Sequence, residues 1–323
     1  MILRKSMTLY IKPVPPFNFD ATMHKPGWFS LPKERYEHYE KGRIWMPFCV
    51  DEELYGIKLE SNGTVARPEI KLTIFSESQL GSKNKKRILE ELNWRFELDR
   101  DLKSFYKEFQ DDRVLKRTLK KFRGMRIRSS GDLYESLMIF IILQNATIGR
   151  SARMFEAMLK RYGTRLKFDK REMYAVWRPK DIANVREDEL RKLEIGYRAK
   201  FFKAISEDFA KGNFIERDLR KLNKETLKER LEELYGIGPA SLWYLLFEIF
   251  HFYDALDYIS PWEQKIYSKI LYNRSKVSIG KILKDVKHRF GKWSMLAVHY
   301  LWEDLWWRHE MENIPWLKKL IKI

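Results

Sequence analysis

Two neighbouring stretches carry residue types and spacings that could do chemistry. In the run from Leu234 to Trp243, apolar residues lead up to Leu234, the pair Gly236 and Gly238 forces a tight turn, and apolar periodicity resumes at Leu242. The pattern predicts helix, hairpin, helix. Such a turn presents the backbone N–H groups of Gly236, Ile237 and Gly238 at a helix start, where a phosphate is the natural ligand. The second stretch, Asp254 to Gln264, supplies Asp254, Asp257 and Glu263. Carboxylates in such a place can stabilise developing positive charge or orient a water. Within it, Ser260-Pro261-Trp262-Glu263 also reads as an N-cap, a proline at the first helical position and a capping box. His251, His288, His299 and His309 lack metal-ligand spacing with other His, Cys or acidic residues, which argues against a zinc site.

The elements that position these residues must come from 323 residues, enough for a full core and for two or three packed subdomains. Hydrophobic residues at 44% and aromatics at 15% place the chain among globular rather than disordered proteins. The formal net charge of +18 creates a field that attracts polyanions and makes their binding salt-dependent. The single cysteine, Cys49, excludes an internal disulfide and a four-cysteine iron–sulfur cluster. The residues from Met1 to Lys12 contain no long apolar run, so no signal peptide or membrane span is expected. A cytoplasmic monomer without membrane contact, nucleoid-associated if the source is prokaryotic, is the corresponding expectation.

Residues 1–96 read as an antiparallel β domain. Phe17 to Met23 is extended, Lys25 to Phe29 supplies a turn, and Leu54–Glu60 and Thr64–Phe75 flank Ser61-Asn62-Gly63, which favours a type I′ hairpin. Ser82 to Arg87 reads as a solvated basic turn that could touch phosphate, and after it the reading turns helical and stays so. Leu102, Phe105, Tyr106 and Phe109 share a helix face, and Val114 to Phe122 continues it. The stretch Leu133 to Arg150 predicts a buried helix that ends in a polar turn, and Gly163 is a plausible C-cap of the helix after it. Residues 97–323 thus form a helical region, with the hairpin at about 225–250. The fold class is α+β, mainly α: an antiparallel sheet domain packed on two helical subdomains.

Taken together, these stretches resemble the helix-hairpin-helix DNA glycosylase superfamily, in particular its 8-oxoguanine and alkylpurine (3-methyladenine) branches. A Gly-rich hairpin precedes the catalytic acidic position there. Ile142 to Arg150 looks like the loop that plugs the gap left by a flipped nucleotide, which gives Asn145 the role of entering the duplex and Arg150 that of reading the orphaned base. Glu194 to Lys200 looks like the 8-oxoguanine branch's wedge, with Tyr197 between bases and Arg198 beside the unpaired partner. Lys292 to Trp302 resembles the closing helix of the alkylpurine branch, so Trp302 would line the base pocket. Phe17 to Thr22 and Phe96 to Phe122 are similar to the sheet domain of both branches and its exit.

The resemblance implies a base-excision enzyme that flips a damaged purine, oxidised or alkylated, from lesion-containing double-stranded DNA and hydrolyses its N-glycosidic bond. Bifunctional relatives carry a lysine two residues after the second hairpin glycine. Ala240 stands there, beside the base pocket, so a monofunctional enzyme without lyase activity is expected. No cofactor is required, and a monovalent cation at the hairpin is the one ion the resemblance leaves room for. The carboxylate has two registers. Counting from the hairpin without insertion puts Ser260 in the family's aspartate slot, whereas matching Pro261-Trp262-Glu263 to the family's Pro-x-Asp makes Glu263 the carboxylate. Glu263 is the first choice and Asp257 the second. The alternatives are a non-catalytic DNA-binding protein derived from the same fold, and an unrelated basic scaffold.

Overall fold

Alternation of side chains builds the sheet. In the computed structural model, which describes residues 1–26, 36–129 and 131–321, β5 (Ile70–Ser76) buries Ile70, Leu72, Ile74 and Ser76 and turns the residues between them outward. It lies between β1 (Lys5–Ile11) and β4 (Glu53–Ser61), and β3 (Arg43–Val50) and β2 (His38–Glu40) complete the order β1-β5-β4-β3-β2, antiparallel throughout. Leu72 pairs with Leu9 on one side and Leu59 on the other, which keeps the apolar set on one face. That face packs on the helix Ser82–Phe96 through Ile88, Leu92 and Phe96.

Several local expectations are corrected. Phe17 to Met23 is not extended throughout, because Phe19–Met23 is a short helix with Asn18 as its N-cap. Ser82 to Arg87 is not a turn but the first part of the helix Ser82–Phe96. Asn62 and Gly63 do not form a type I′ turn: neither has a positive φ, and strand pairing resumes only at Ile70. Pro68, which has no N–H for a ladder, lies in the segment that was read as strand. The helical part also contains a second, two-stranded sheet, β6 (Thr164–Phe168) and β7 (Arg171–Ala175). Asp169 and Lys170 both take positive φ at its turn. Its Leu166, Phe168 and Met173 cover the other face of the large sheet against Leu3 and Trp45, and a Cβ on Gly56 would come within 2.5 Å of the Phe168 ring. Gly163 does cap its helix, but in extended rather than left-handed conformation. The turn expected at Lys25–Phe29 lies, from Gly27 on, outside the described residues.

The helices enclose two hydrophobic cores. One gathers Leu133 to Ile142 with Phe155, Trp177, Phe202 and Leu231, and the other gathers Phe105, Leu119, Phe247, Phe290 and Leu296. The helix Pro239–Glu248 serves both: Leu242, Leu245 and Leu246 enter the first, Trp243 and Phe247 the second. This division follows from helical spacing, since residues three and four apart share a face. The helix that begins at the glycine turn is therefore buried on both sides. No helix among the described residues is long and apolar enough to cross a membrane.

Where Lys25, the end of that helix and the helix Ser294–Glu312 meet, the buried carboxyls of Glu248 and Glu303 lie with the half-buried Lys25 and His299. Lys25 Nζ donates to the Arg126 carbonyl at 3.3 Å and lies 3.4 Å from His299 Nε2. Burial pushes the Glu248 carboxyl up to about 8, with Glu303 raising it further and Lys25 opposing. Glu303 is raised as well, while Lys25 and His299 are lowered, in each case chiefly by burial. Between pH 4.5 and about 8 the folded state therefore holds a proton on Glu248 that the unfolded chain releases, so this group's contribution to stability falls as pH rises through that window. Lys25 acts in the opposite sense. Replacing Glu248→Gln is expected to raise the melting temperature at pH 8 and to leave it nearly unchanged at pH 4.5. Equal shifts at both pH values would assign the effect to packing instead.

Candidate functional site

The glycine turn joins the helices Lys224–Glu232 and Pro239–Glu248. Gly236 has φ +92°, and a Cβ there would meet the Phe201 ring at 2.5 Å, so glycine is required by conformation and by space alike. Ile237 N–H is used internally, donating to the Leu234 carbonyl at 3.1 Å. Gly238 is the N-cap without a side-chain partner and Pro239 takes the first helical position. The N–H groups of Gly238 and exposed Ala240 thus point away from the helix with no acceptor among the described residues, at its positive end.

Beside this turn ends the buried helix Leu133–Leu143. Gln144 at its C-cap donates from Nε2 to the Gly236 carbonyl at 2.7 Å, which ties the loop after the helix to the turn. The next residue, Asn145, adopts φ +47° and donates from Nδ2 to Tyr197 Oη at 3.1 Å. Asn145 and Tyr197, distant in sequence, are brought together and stay accessible, Tyr197 at 38% exposure. Arg150 is exposed in the first turn of the next helix, Ile148–Tyr162, behind the N-cap Thr147.

Arg198 differs from the expectation. It is buried, at 2% exposure, with its guanidinium turned to the chain's own backbone. Its Nε donates to the Ile141 carbonyl at 3.1 Å, Nη1 to Ile195 at 3.4 Å and Nη2 to the Gln144 carbonyl. The guanidinium holds the Gln144 carbonyl and adds a second donor to that of Ile141, which also accepts from Gln144 N–H, and its charge suits that end of the dipole. It also lies 4.8 Å from the centre of the Tyr197 ring. Arg198 thus lies beneath Asn145 and Tyr197 rather than at the surface with them.

Of the candidate carboxylates, Asp257 is exposed and paired with Lys287. Asp254 is paired with Lys224 at 2.6 Å. Ser260 is the N-cap of the helix Pro261–Tyr272, its Oγ accepting from Glu263 N–H at 3.4 Å. Glu263 is 2% exposed; Oε2 accepts from Ser260 N–H at 2.9 Å and Oε1 from Tyr244 Oη at 2.6 Å. Burial raises its pKa, and the hydrogen bonds from Ser260 and Tyr244 oppose that rise. Tyr244 comes from the turn-initiated helix, where its ring stacks on Trp243 with centroids 3.6 Å apart. It is the residue that the sequence reading missed. The available signal was a phenol inside an apolar helical run, since a buried hydroxyl needs a partner.

Trp302 packs against the helix carrying Glu263, with its ring 5.5 Å from Trp262, 5.9 Å from Tyr267 and 5.8 Å from Trp306. It belongs to an aromatic cluster around the Glu263 helix, and Trp262 in that cluster is 43% exposed. A separate cleft of about 590 Å³, lined by Asp132, Glu135, Trp177 and Arg220, lies at the other end of Leu133–Leu143. The helix has 11 residues and is about 16 Å long, which separates that cleft from Asn145 and the turn.

No family model matches the chain. Over 216 residues it is 25% identical to a DNA-3-methyladenine glycosylase of Bacillus subtilis (strain 168), covering 65% of this chain and 70% of that protein. Over 176 residues it is 26% identical to a probable N-glycosylase/DNA lyase of Methanothermobacter thermautotrophicus, covering 48% of this chain and 55% of that protein, little more than half its length. Its fold is similar to that of Clostridium acetobutylicum 8-oxoguanine glycosylase/lyase in complex with dsDNA containing cytosine opposite 8-oxoG, with a TM-score of 0.68 and 22% identity over 95% of this chain and 99% of that one. It is also similar to the 3-methyladenine DNA glycosylase from Archaeoglobus fulgidus, with a TM-score of 0.74 and 16% identity over 91% and 97% of the two chains. The antiparallel sheet with a mainly helical remainder is thus an architecture that glycosylases of both specificities adopt.

Proposed function

We propose that this chain, similar to helix-hairpin-helix DNA glycosylases in sequence and in fold, is itself a DNA glycosylase that flips a damaged purine out of duplex DNA and releases it by hydrolysis. One observation carries the reading. The Gln144–Gly236 hydrogen bond ties a turn with free N–H groups to the loop of the accessible Asn145–Tyr197 pair, which sets a phosphate anchor beside a wedge. Phosphate contacts at Gly238 and Ala240 would position the strand, and Asn145 and Tyr197 would fill the space the base vacates. The net charge of +18 favours the encounter with DNA.

Glu263 is the carboxylate we assign to the chemistry. A carboxylate has about four lone-pair sites, and the bonds from Ser260 and Tyr244 occupy two. The remaining ones can face the cationic sugar that forms as the glycosidic bond lengthens, and can orient the attacking water. Held in a low-dielectric setting among Tyr244, Tyr267 and Trp302, the charge acts at greater strength than it would in water. Ala240 offers no amine for a Schiff base, so the reaction ends at the abasic product.

A second reading has its own observation in favour. Glu263 is nearly inaccessible and already completes a capping box, which would suit a DNA-binding protein that no longer cleaves. Duplexes carrying 8-oxoguanine, hypoxanthine, alkyladenine or uracil separate the two. Release of a damaged purine, strand breakage only after alkali and no covalent adduct on borohydride treatment are expected. Intact strands in every lane would favour the second reading, and a borohydride-trapped adduct would overturn the monofunctional assignment.

A further inference from the structure

Large apolar side chains that stay in water are few among the described residues, and two of them flank the wedge and the turn: Tyr197 at 38% exposure and Tyr235 at 52%. Phe201 joins them. Its ring meets Tyr197 edge-on at 5.8 Å and Tyr235 edge-on at 5.0 Å. Gly236 leaves no room for a side chain against Phe201, so the turn and the three rings form one packed unit. Lys200 Nζ lies 5.0 Å from the centre of Phe201 and 5.5 Å from that of Tyr235, which places a cation beside the rings.

The sequence role of Tyr235 is not explained by the turn. A turn of this kind needs its glycines, whereas the position before them is free to be polar, and an exposed aromatic there loses nothing only if something covers it. Tyr235 is three residues from Gly238, so their Cα atoms are at most about 11 Å apart. A nucleotide whose phosphate rests on the free N–H groups of Gly238 and Ala240 has its own base, or a neighbouring one, within reach of the tyrosine ring. When a nucleotide is flipped, the bases on either side lose a stacking partner and bare a π-face.

We propose that Tyr235 is a second base-stacking residue, which covers the bared face of a nucleobase flanking the flipped nucleotide on the strand held by the turn. Tyr197 and Asn145 act separately, at the gap itself. The ligand is an unstacked nucleobase of either ring type, because every base presents a π-face. Lys200 beside the ring supplies the charge for the adjoining phosphate. The inference rests on the DNA glycosylase reading given above.

The test uses duplexes with a non-hydrolysable abasic-site analogue and 2-aminopurine, whose emission reports stacking, placed in turn at each flanking position of both strands. The full chain is compared with Tyr235→Leu, Tyr235→Phe and Tyr197→Leu. At one flanking position in the analogue-bearing strand, the emission change on binding is expected to disappear in Tyr235→Leu and to persist in Tyr235→Phe and Tyr197→Leu, with affinity about 10-fold lower in Tyr235→Leu. Emission unchanged by Tyr235→Leu at every position overturns the proposal. So does a change confined to the positions that Tyr197→Leu alters, for then Tyr235 only braces Phe201. Failure of the parent chain to prefer the analogue duplex over an intact one would instead remove the glycosylase reading itself.

Discussion

Glu263→Gln is expected to slow single-turnover base release by about 10²- to 10⁴-fold while DNA affinity and melting temperature stay near the parent values. The variant is chosen because glutamine also completes a capping box: its carbonyl oxygen can still accept from Ser260 N–H, so the helix Pro261–Tyr272 keeps its start. What is lost is the negative charge that opposes the sugar cation. Asp257→Asn and Ser260→Ala provide the comparison. The first removes a surface ion pair with Lys287, worth little in stability, and the second removes a cap, costing about 1 kcal/mol. Neither is expected to change the chemical step by as much. Full activity in Glu263→Gln would exclude it and return the assignment to the other register. Tyr244→Phe tests the same site through pH. The phenol's hydrogen bond favours the ionised carboxylate, so its loss moves the rising limb of the pH–rate profile to higher pH.

Arg198→Met is expected to destabilise the fold by about 2–4 kcal/mol, measured by denaturant unfolding, because it removes a buried guanidinium that bonds the carbonyls of Ile141, Ile195 and Gln144. Asn145 and Tyr197 rest on that support, so weaker DNA binding should accompany the loss of stability. A residue that only read an unpaired base would behave differently, with selectivity lost and unfolding unchanged. That result would overturn the structural role assigned to Arg198.

The glycine turn, the buried helix Leu133–Leu143 and the capping box at Ser260 were legible in the sequence because each rests on local chemistry: positive φ, helical periodicity, side-chain bonds three residues apart. The β6–β7 hairpin was legible too. Leu166 and Phe168 on one side, Met173 and Ala175 on the other, alternate with polar or exposed residues. The helices on either side of it mask that signal.

The sequence by itself favoured a polyanionic partner, through a charge of +18, marked a turn at Gly236 and Gly238, and left no amine at Ala240. Tertiary structure alone decided which side chains face which. Tyr197 and Arg198 are adjacent in the chain, yet one meets Asn145 in the open and the other disappears beneath a helix end. Their direction depends on where Leu133–Leu143 stops, some 50 residues earlier, and no local pattern carries that information. Likewise Tyr244 and Glu263 lie on different helices, and only the packing of those helices makes them a hydrogen-bonded pair.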